Sequence, residues 1–232
     1  DVIPFISKDL SFKNLSKSKL INPEFSYASG TKLHQFLKEM NSKVLSKYDI
    51  VSIGEAFGIS NESMIKMTDE RENELNLVFL FDIIRIGRDN WIQNKWNLKE
   101  FKKLFEQQSN VKYFNWPTVF LNNHDNPRSV SKYGNDLQFR EKSAKLLAML
   151  ILTQKGTPVL FQGEEIGMTN YKFESLDQFD DLEVIGNLPK AIKSRINKKE
   201  YLKHLNISSR DHSRTTMQWN NKIHGGFTEG NN

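Results

Sequence analysis

Three acids fall at the ends of strand-like apolar runs: Asp1, Glu55 at the close of residues 49–56, and Asp125 just past residues 118–121. Two carboxylates flanking a glycosidic bond can divide its cleavage. One attacks the anomeric carbon or stabilises positive charge there, and the other protonates the leaving oxygen. The acid of such a pair needs a raised pKa, near ~6 in the best-studied case, which partial burial beside other carboxylates supplies. Glu55 follows an apolar strand and a glycine and suits that task, while His124 beside Asp125 offers a donor for a sugar hydroxyl. Acids after strands also serve as helix N-caps. Spacing alone leaves both readings open.

The elements that would position these acids alternate strand and helix. Residues 1–6 read as the end of a buried strand running into a loop. Residues 31–48 carry Leu33, Phe36, Leu37, Met40, Val44 and Leu45 at helical spacing. A strand over 49–56 precedes a helix over 60–69 capped by Ser60 or Asn61. A strand is expected over 75–81, a helix over 98–107, a strand over 118–121, an apolar helix over 139–153 and a strand over 157–161. A helix-poor loop follows, then a helix over 198–205 and an irregular, glycine-rich stretch from Ser208. Continuous apolar strands alternating with helices predict a parallel sheet covered on both faces. The reactive residues lie past the carboxyl ends of the strands. That is where β/α barrels and open α/β sheets alike assemble their chemistry.

Composition narrows the classes. The 232 residues are 38% hydrophobic and 26% charged, a globular balance. Cysteine is absent, which excludes disulfides, thiolate metal sites and thiol nucleophiles. The longest apolar run, Leu146 to Leu152, is far below the ~20 residues a membrane span needs. The net charge of +5 does not point to nucleic acid, because the basic stretch from Lys190 to Lys203 interleaves apolar residues and reads as a solvated helix face. Asp177, Asp180, Asp181 and Glu183 lack the spacing of an EF-hand and read as a solvated loop. No metal and no cofactor is expected. Asn14, Asn61 and Asn206 begin N-x-Ser triplets read as chance matches, and Trp91, Trp96 and Trp116 suit core or rim packing at least as well as sugar stacking.

Five strings add weight. They are Asp1-Val2-Ile3-Pro4-Phe5-Ile6-Ser7-Lys8; Ser52-Ile53-Gly54-Glu55; Phe120 through Asn122-Asn123-His124-Asp125-Asn126-Pro127-Arg128; Gly156-Thr157-Pro158 through Gln162-Gly163-Glu164-Glu165; and Ser209-Arg210-Asp211-His212-Ser213-Arg214-Thr215 with Met217-Gln218-Trp219. In this order they resemble the α-amylase superfamily, in its oligo-1,6-glucosidase and α-glucosidase branch. The resemblance implies a retaining (β/α)8 TIM-barrel enzyme acting on α-glucosides. It implies Asp1 as the nucleophile after the fourth barrel strand, Glu55 as the acid/base after the fifth, and Asp125 as the third acid. His124 matches a sugar-hydroxyl ligand and Arg210 an arginine at the bound glucosyl unit. Nucleophile and acid/base are then expected ~5–5.5 Å apart.

The family's first three barrel strands and its C-terminal β-domain have no counterpart in this sequence. Residues 1–232 are therefore expected to be a partial catalytic domain, strands four to eight with their helices, of a longer enzyme. The expected partner is a small oligosaccharide or disaccharide, with no nucleic acid and no membrane, in the cytoplasm; oligomeric state is not legible. Val2, next to the nucleophile, resembles hydrolases that accept α-1,6 bonds. Phe57 and Phe81 match an aromatic pair of the related sucrose isomerases, and residues 85–89 approximate their charged loop, with Gly87 where they carry an acid. Hydrolysis, sucrose isomerisation and an inactive α-amylase-like piece are thus the competing readings. Arg128 is counted among the substrate-contacting candidates, although Arg128 and Arg214 suit loop bracing equally. Glu164 and Glu165 are expected to anchor the last strand's loop.

Overall fold

The computed structural model describes residues 2–8, 28–56, 59–89, 92–110 and 116–230. Asp1, Phe57, Trp91 and Asn14 lie outside them. In chain order the elements are α1 (Leu33–Lys43), β1 (Ile53–Glu55), α2 (Asn61–Thr68), β2 (Leu77–Phe79), α3 (Asp82–Arg85), β3 (Arg88–Asp89), β4 (Ile92–Gln93), α4 (Leu98–Ser109), β5 (Thr118–Val119), α5 (Ser129–Tyr133), α6 (Arg140–Thr153), β6 (Thr157–Pro158), α7 (Leu182–Lys193) and α8 (Lys198–Ser208). They form two compact units. One comprises Asp1–Ile83, Lys102–Val119 and Lys155–Thr157; the other comprises Ile84–Phe101, Phe120–Gln154 and Pro158–Asn232.

The first unit is built on a strand–helix–strand repeat. β1 and β2 pair in parallel with Glu55 opposite Phe79, and α2 is the crossover between them. Ser60 caps α2 by accepting from the Ser63 N–H at 3.2 Å, as a serine before an apolar-periodic run should. The core joins Leu33 and Leu37 of α1 to Met64 and Met67 of α2 and to Leu75, Val78 and Leu80. Gly54 serves close approach: a Cβ there would stand 2.6 Å from Leu75 Cδ1 and 3.2 Å from Ile3 Cγ2.

Two expectations fail in this unit. Residues 3–6 form a 3-10 turn with Pro4 buried, not a strand end; proline has no N–H to give a ladder. The long first helix stops at Lys43, where the Val44 N–H closes back on Met40 O. Phe36 and Val44 of the predicted apolar stripe are exposed. The strands are also shorter than their apolar runs, because hydrogen-bonded partners, not apolar content, set a strand's length.

The second unit contains an antiparallel β3–β4 pair and a core of Phe173, Phe179, Val184, Ala191, Tyr201 and Leu205. The Tyr201 hydroxyl donates to Val184 O at 2.8 Å, tying α8 to α7. Trp96, Phe101 and Tyr133 pack in tilted and edge-on contacts with centroids 5.2–5.8 Å apart, the packing role expected of Trp96.

Helix α7 lies in the stretch read as helix-poor. Gly186 and Pro189 inside it obscure its periodicity. The basic run 190–203 is consequently two helix ends around a turn, with Arg195 at φ 64. Ala191 and Tyr201 of that run are fully buried while Lys190, Lys193, Arg195, Lys198, Lys199 and Lys203 are all exposed, so its basic side is the solvated face expected.

His212 is fully buried, with Nε2 3.0 Å from Leu205 O and its ring 5.2 Å from Phe173. Burial foremost lowers its pKa to about 4 from 6.5. Between those values the unfolded chain binds the proton and the folded one does not. The contribution of neutral His212 is therefore full above pH 6.5 and falls away as pH drops towards 4. The total is on the order of 3 kcal/mol. Urea unfolding at pH 7.5 and pH 5 should show this acid limb, and His212→Phe should flatten it; an unchanged limb in the variant refutes the assignment.

Candidate active site

Glu55 stands at the carboxyl end of β1 and is half-buried. The Val2 N–H donates to its Oε2 at 3.1 Å. That bond fixes the residue directly after Asp1 against the Glu55 carboxyl. One carboxyl oxygen accepts from the backbone, and the geometry is that of an oriented acid. Phe81 lies two residues past β2 and is half-buried.

The second unit holds the other cluster. Beyond β5 the chain is fixed by asparagines. Buried Asn122 accepts from the Ser129 N–H at 2.7 Å and donates to Ser129 Oγ at 2.8 Å. Asn123 Oδ1 accepts from the Asp125 N–H at 2.9 Å and from Asn126 Nδ2 at 2.7 Å. Such short-range side-chain bonds replace a regular ladder and present Asp125.

The Asp125 carboxylate is gripped by cations. Its Oδ1 accepts from Arg210 Nη1 at 3.2 Å and Arg214 Nη2 at 2.7 Å, and its Oδ2 lies 3.4 Å from His124 Nε2. Its backbone carbonyl accepts from Arg88 Nη1 at 3.0 Å. Arg210 is forked on Asp181, through Nε and through Nη2 at 2.7 Å, and Arg88 reaches Glu183 Oε2 at 3.2 Å. Asp181 hydrogen bonds and charge hold the Arg210 guanidinium further above its usual range. Burial pushes the Asp181 carboxyl up, but the bonds from Arg210 and the Glu183 N–H outweigh it, and the net shift is downward. Arginine forks of this kind are strong and directional. The arrangement orients Asp125 with part of its carboxylate open to solvent. An oriented carboxylate accepts sugar hydroxyls and favours positive charge on a sugar ring.

His124, Asp125 and Arg210 are thus together, as are Val2 and Glu55. Arg128 differs: it is 2% exposed. Its guanidinium donates to Gln162 O at 2.6 Å, His212 O at 3.2 Å and Ser213 O at 3.5 Å, with its charge over the Phe161 ring. Of its two readings, the geometry is that of a brace. Asp181 is no part of a solvated loop: it is buried, caps α7 through the Glu183 N–H at 2.9 Å and holds Arg210. Glu164 accepts from the Phe161 N–H at 3.1 Å and Glu165 from the Gly163 N–H at 2.8 Å, so both acids fasten that turn.

Sequence reasoning did not single out Arg88, Asp181 and Glu183 as site residues, and it left Arg214 undecided. The four-residue spacing of Arg210 and Arg214 around one 3-10 turn was the one available signal. Among the described residues no group of three or more His, Cys, Asp or Glu side chains gathers as a metal site.

The profile of the family described as "Alpha amylase, catalytic domain" matches residues 1–232. The chain is 37% identical over 239 aligned residues to an oligo-1,6-glucosidase of Bacillus cereus, covering 99% of this chain and 42% of that protein. It is 37% identical over 237 residues to a glucan 1,6-alpha-glucosidase of Streptococcus pneumoniae, again covering 99% and 42%. Among solved structures, an isomaltulose synthase from Klebsiella sp. LX3 superposes with a TM-score of 0.91 at 42% identity, covering 99% of this chain and 42% of that one. The chain spans about 42% of the length of these relatives.

Proposed function

The chain belongs to the alpha-amylase catalytic-domain family and carries part of its (β/α)8 barrel, and from that premise we propose that the protein containing it is a retaining α-glucoside hydrolase. Its substrates are small oligosaccharides, α-1,6-linked ones included. In this reading Asp1 attacks the anomeric carbon while Glu55 gives its proton to the leaving oxygen. A glucosyl ester of Asp1 forms and the leaving sugar departs. Glu55 then takes a proton from water, whose oxygen attacks the same carbon and frees Asp1. Asp125 grips hydroxyls and favours the oxocarbenium-like charge, with His124 as a further hydroxyl ligand and Arg210 and Arg214 orienting Asp125.

The observation that carries this reading is the Val2 N–H bond to Glu55. It sets the neighbour of the nucleophile on the acid. Val2 then borders the leaving sugar, and its small apolar side chain suits an α-1,6 linkage.

A second reading has a specific support. The solved relatives include isomaltulose and trehalulose synthases at 40–43% identity, and Phe57 and Phe81 would flank a retained fructose. Against it, Gly87 at φ 72 stands in the loop where those enzymes carry an acid, and Arg88 of that loop is held by Asp125 O and Glu183.

A sugar panel tests both readings on the full-length protein. We expect faster cleavage of isomaltose than of maltose, and glucose plus fructose as the main products from sucrose. Val2→Thr should move the isomaltose-to-maltose ratio towards maltose by about 1–3 kcal/mol of discrimination at most. Cleavage of maltose alone overturns the linkage assignment, and isomaltulose or trehalulose as main product promotes the isomerase.

A further inference from the structure

In the first unit three side chains form a hydrogen-bonded line. Ser63 Oγ lies 3.0 Å from His34 Nε2. His34 Nδ1 lies 2.8 Å from Glu74 Oε2 and 3.0 Å from Oε1. Glu74 is 1% exposed, His34 is partly exposed with 24% of its side chain in solvent, and Ser63 is half-buried. None of the three takes part in the site described above.

We propose that Ser63, His34 and Glu74 are a second, nucleophilic site, in which Ser63 accepts acyl groups from small activated esters. The roles follow from the geometry. A buried carboxylate on Nδ1 fixes the tautomer with the proton on that nitrogen. Nε2 is then left as the acceptor of the Ser63 hydroxyl proton, which is the working order of a serine, histidine and acid triad. A triad is recognised by geometry and roles, not by fold or chain order.

Each member is held by the fold. His34 sits on the second residue of α1, whose Leu33 and Leu37 are locked in the core. Ser63 sits in the first turn of α2, fixed by its N–H to Ser60 Oγ. Glu74 is anchored through its carbonyl, which accepts from Asn41 Nδ2 at 3.1 Å. Burial foremost raises the Glu74 carboxyl pKa, and the hydrogen bond and charge of His34, with Lys38 and Lys66, oppose it. The first turn of α2 also supplies donors. Among the described residues nothing accepts from the Asn61 and Glu62 N–H groups. First-turn N–H groups favour negative charge of the kind a tetrahedral acyl intermediate carries.

The step balances without a co-reactant other than water. Ser63 Oγ bonds to the acyl carbon, its proton passes to His34 Nε2, and that proton goes to the departing alkoxide as the ester bond breaks. Water then attacks the acyl-serine, gives its proton to His34, and Ser63 recovers it as the acid leaves.

The test uses the full-length protein with p-nitrophenyl acetate and a fluorophosphonate probe, followed by peptide mass spectrometry. The expected result is a phosphonyl label on Ser63 and release of nitrophenol. Ser63→Ala should remove the label and cut nitrophenol release at least tenfold while α-glucoside hydrolysis is unchanged. His34→Gln should match it. Glu74→Gln should lower the acylation rate less than His34→Gln while leaving the KM for p-nitrophenyl acetate unchanged. Unfolding midpoints of all variants check that the fold persists. A label elsewhere, no label in the parent protein, or full esterase activity in Ser63→Ala overturns the proposal. Since the glucoside assay does not read Ser63, failure here leaves the glucosidase reading standing, and the reverse also holds.

Discussion

Glu55→Gln should lower turnover of sugars with poor leaving groups by about 10²–10⁴-fold, the range that positioned general acid catalysis supplies. Glutamine preserves the shape of the side chain, and its carboxamide oxygen still accepts from the Val2 N–H. Only the transferable proton is lost. A glucoside with an activated aryl leaving group needs no such proton for its first step. It should therefore still glucosylate Asp1 rapidly, giving a burst of phenol followed by slow deglucosylation, because the second step also needs Glu55 as base. Pre-steady-state traces on the full-length protein check this, and added azide should speed the slow step because it needs no base. Equal loss on both substrate types, with no burst, removes Glu55 from the acid role and leaves it as a scaffold for Val2.

Arg128→Met should lower unfolding free energy by about 3–5 kcal/mol, the scale for removing one partner of a buried charged network. Methionine fills much of the volume but leaves the carbonyls of Gln162, His212 and Ser213 without that donor. Burial foremost lowers the Arg128 pKa, with the charges of Glu164 and Glu165 opposing it; loss of the cation leaves half-buried Glu164 with less to offset its own upward shift. Urea unfolding measures the change. A stability loss below about 1 kcal/mol, joined to a raised KM with unchanged kcat, would return Arg128 to the substrate pocket.

What the sequence made legible follows the range of each interaction. The cap of α2 is local, and Ser60 could be read from residues within one turn of it. The acid at the end of β1 was legible because an apolar run stops at Gly54-Glu55. The grip on Asp125 was not, since Asp181 and Arg210 are 29 residues apart and Arg88 and Glu183 are 95 apart. Only folding brings such charges together, and each alone looks like a solvated surface group. Helix α7 went unread because Gly186 and Pro189 break its pattern, while Asp181 at its cap and lysines in its last turn oppose that loss. Residues 208–215 read as irregular, yet Asp211, His212 and Ser213 are buried there. Irregular backbone is not loose backbone when side chains and carbonyls lock it.

Asp181 has two attachments at once: through Oδ1 it caps α7, and through both oxygens it holds Arg210, which in turn holds Asp125. The start of a helix and the orientation of a site carboxylate therefore share one side chain. Anything that pulls Arg210 towards a bound sugar must also tug on the N-terminal turn of α7. Amide hydrogen exchange in residues 183–186 becomes a remote gauge of what occupies Asp125. A ligand that tightens Arg210 should slow that exchange, and one that displaces it should let the turn fray.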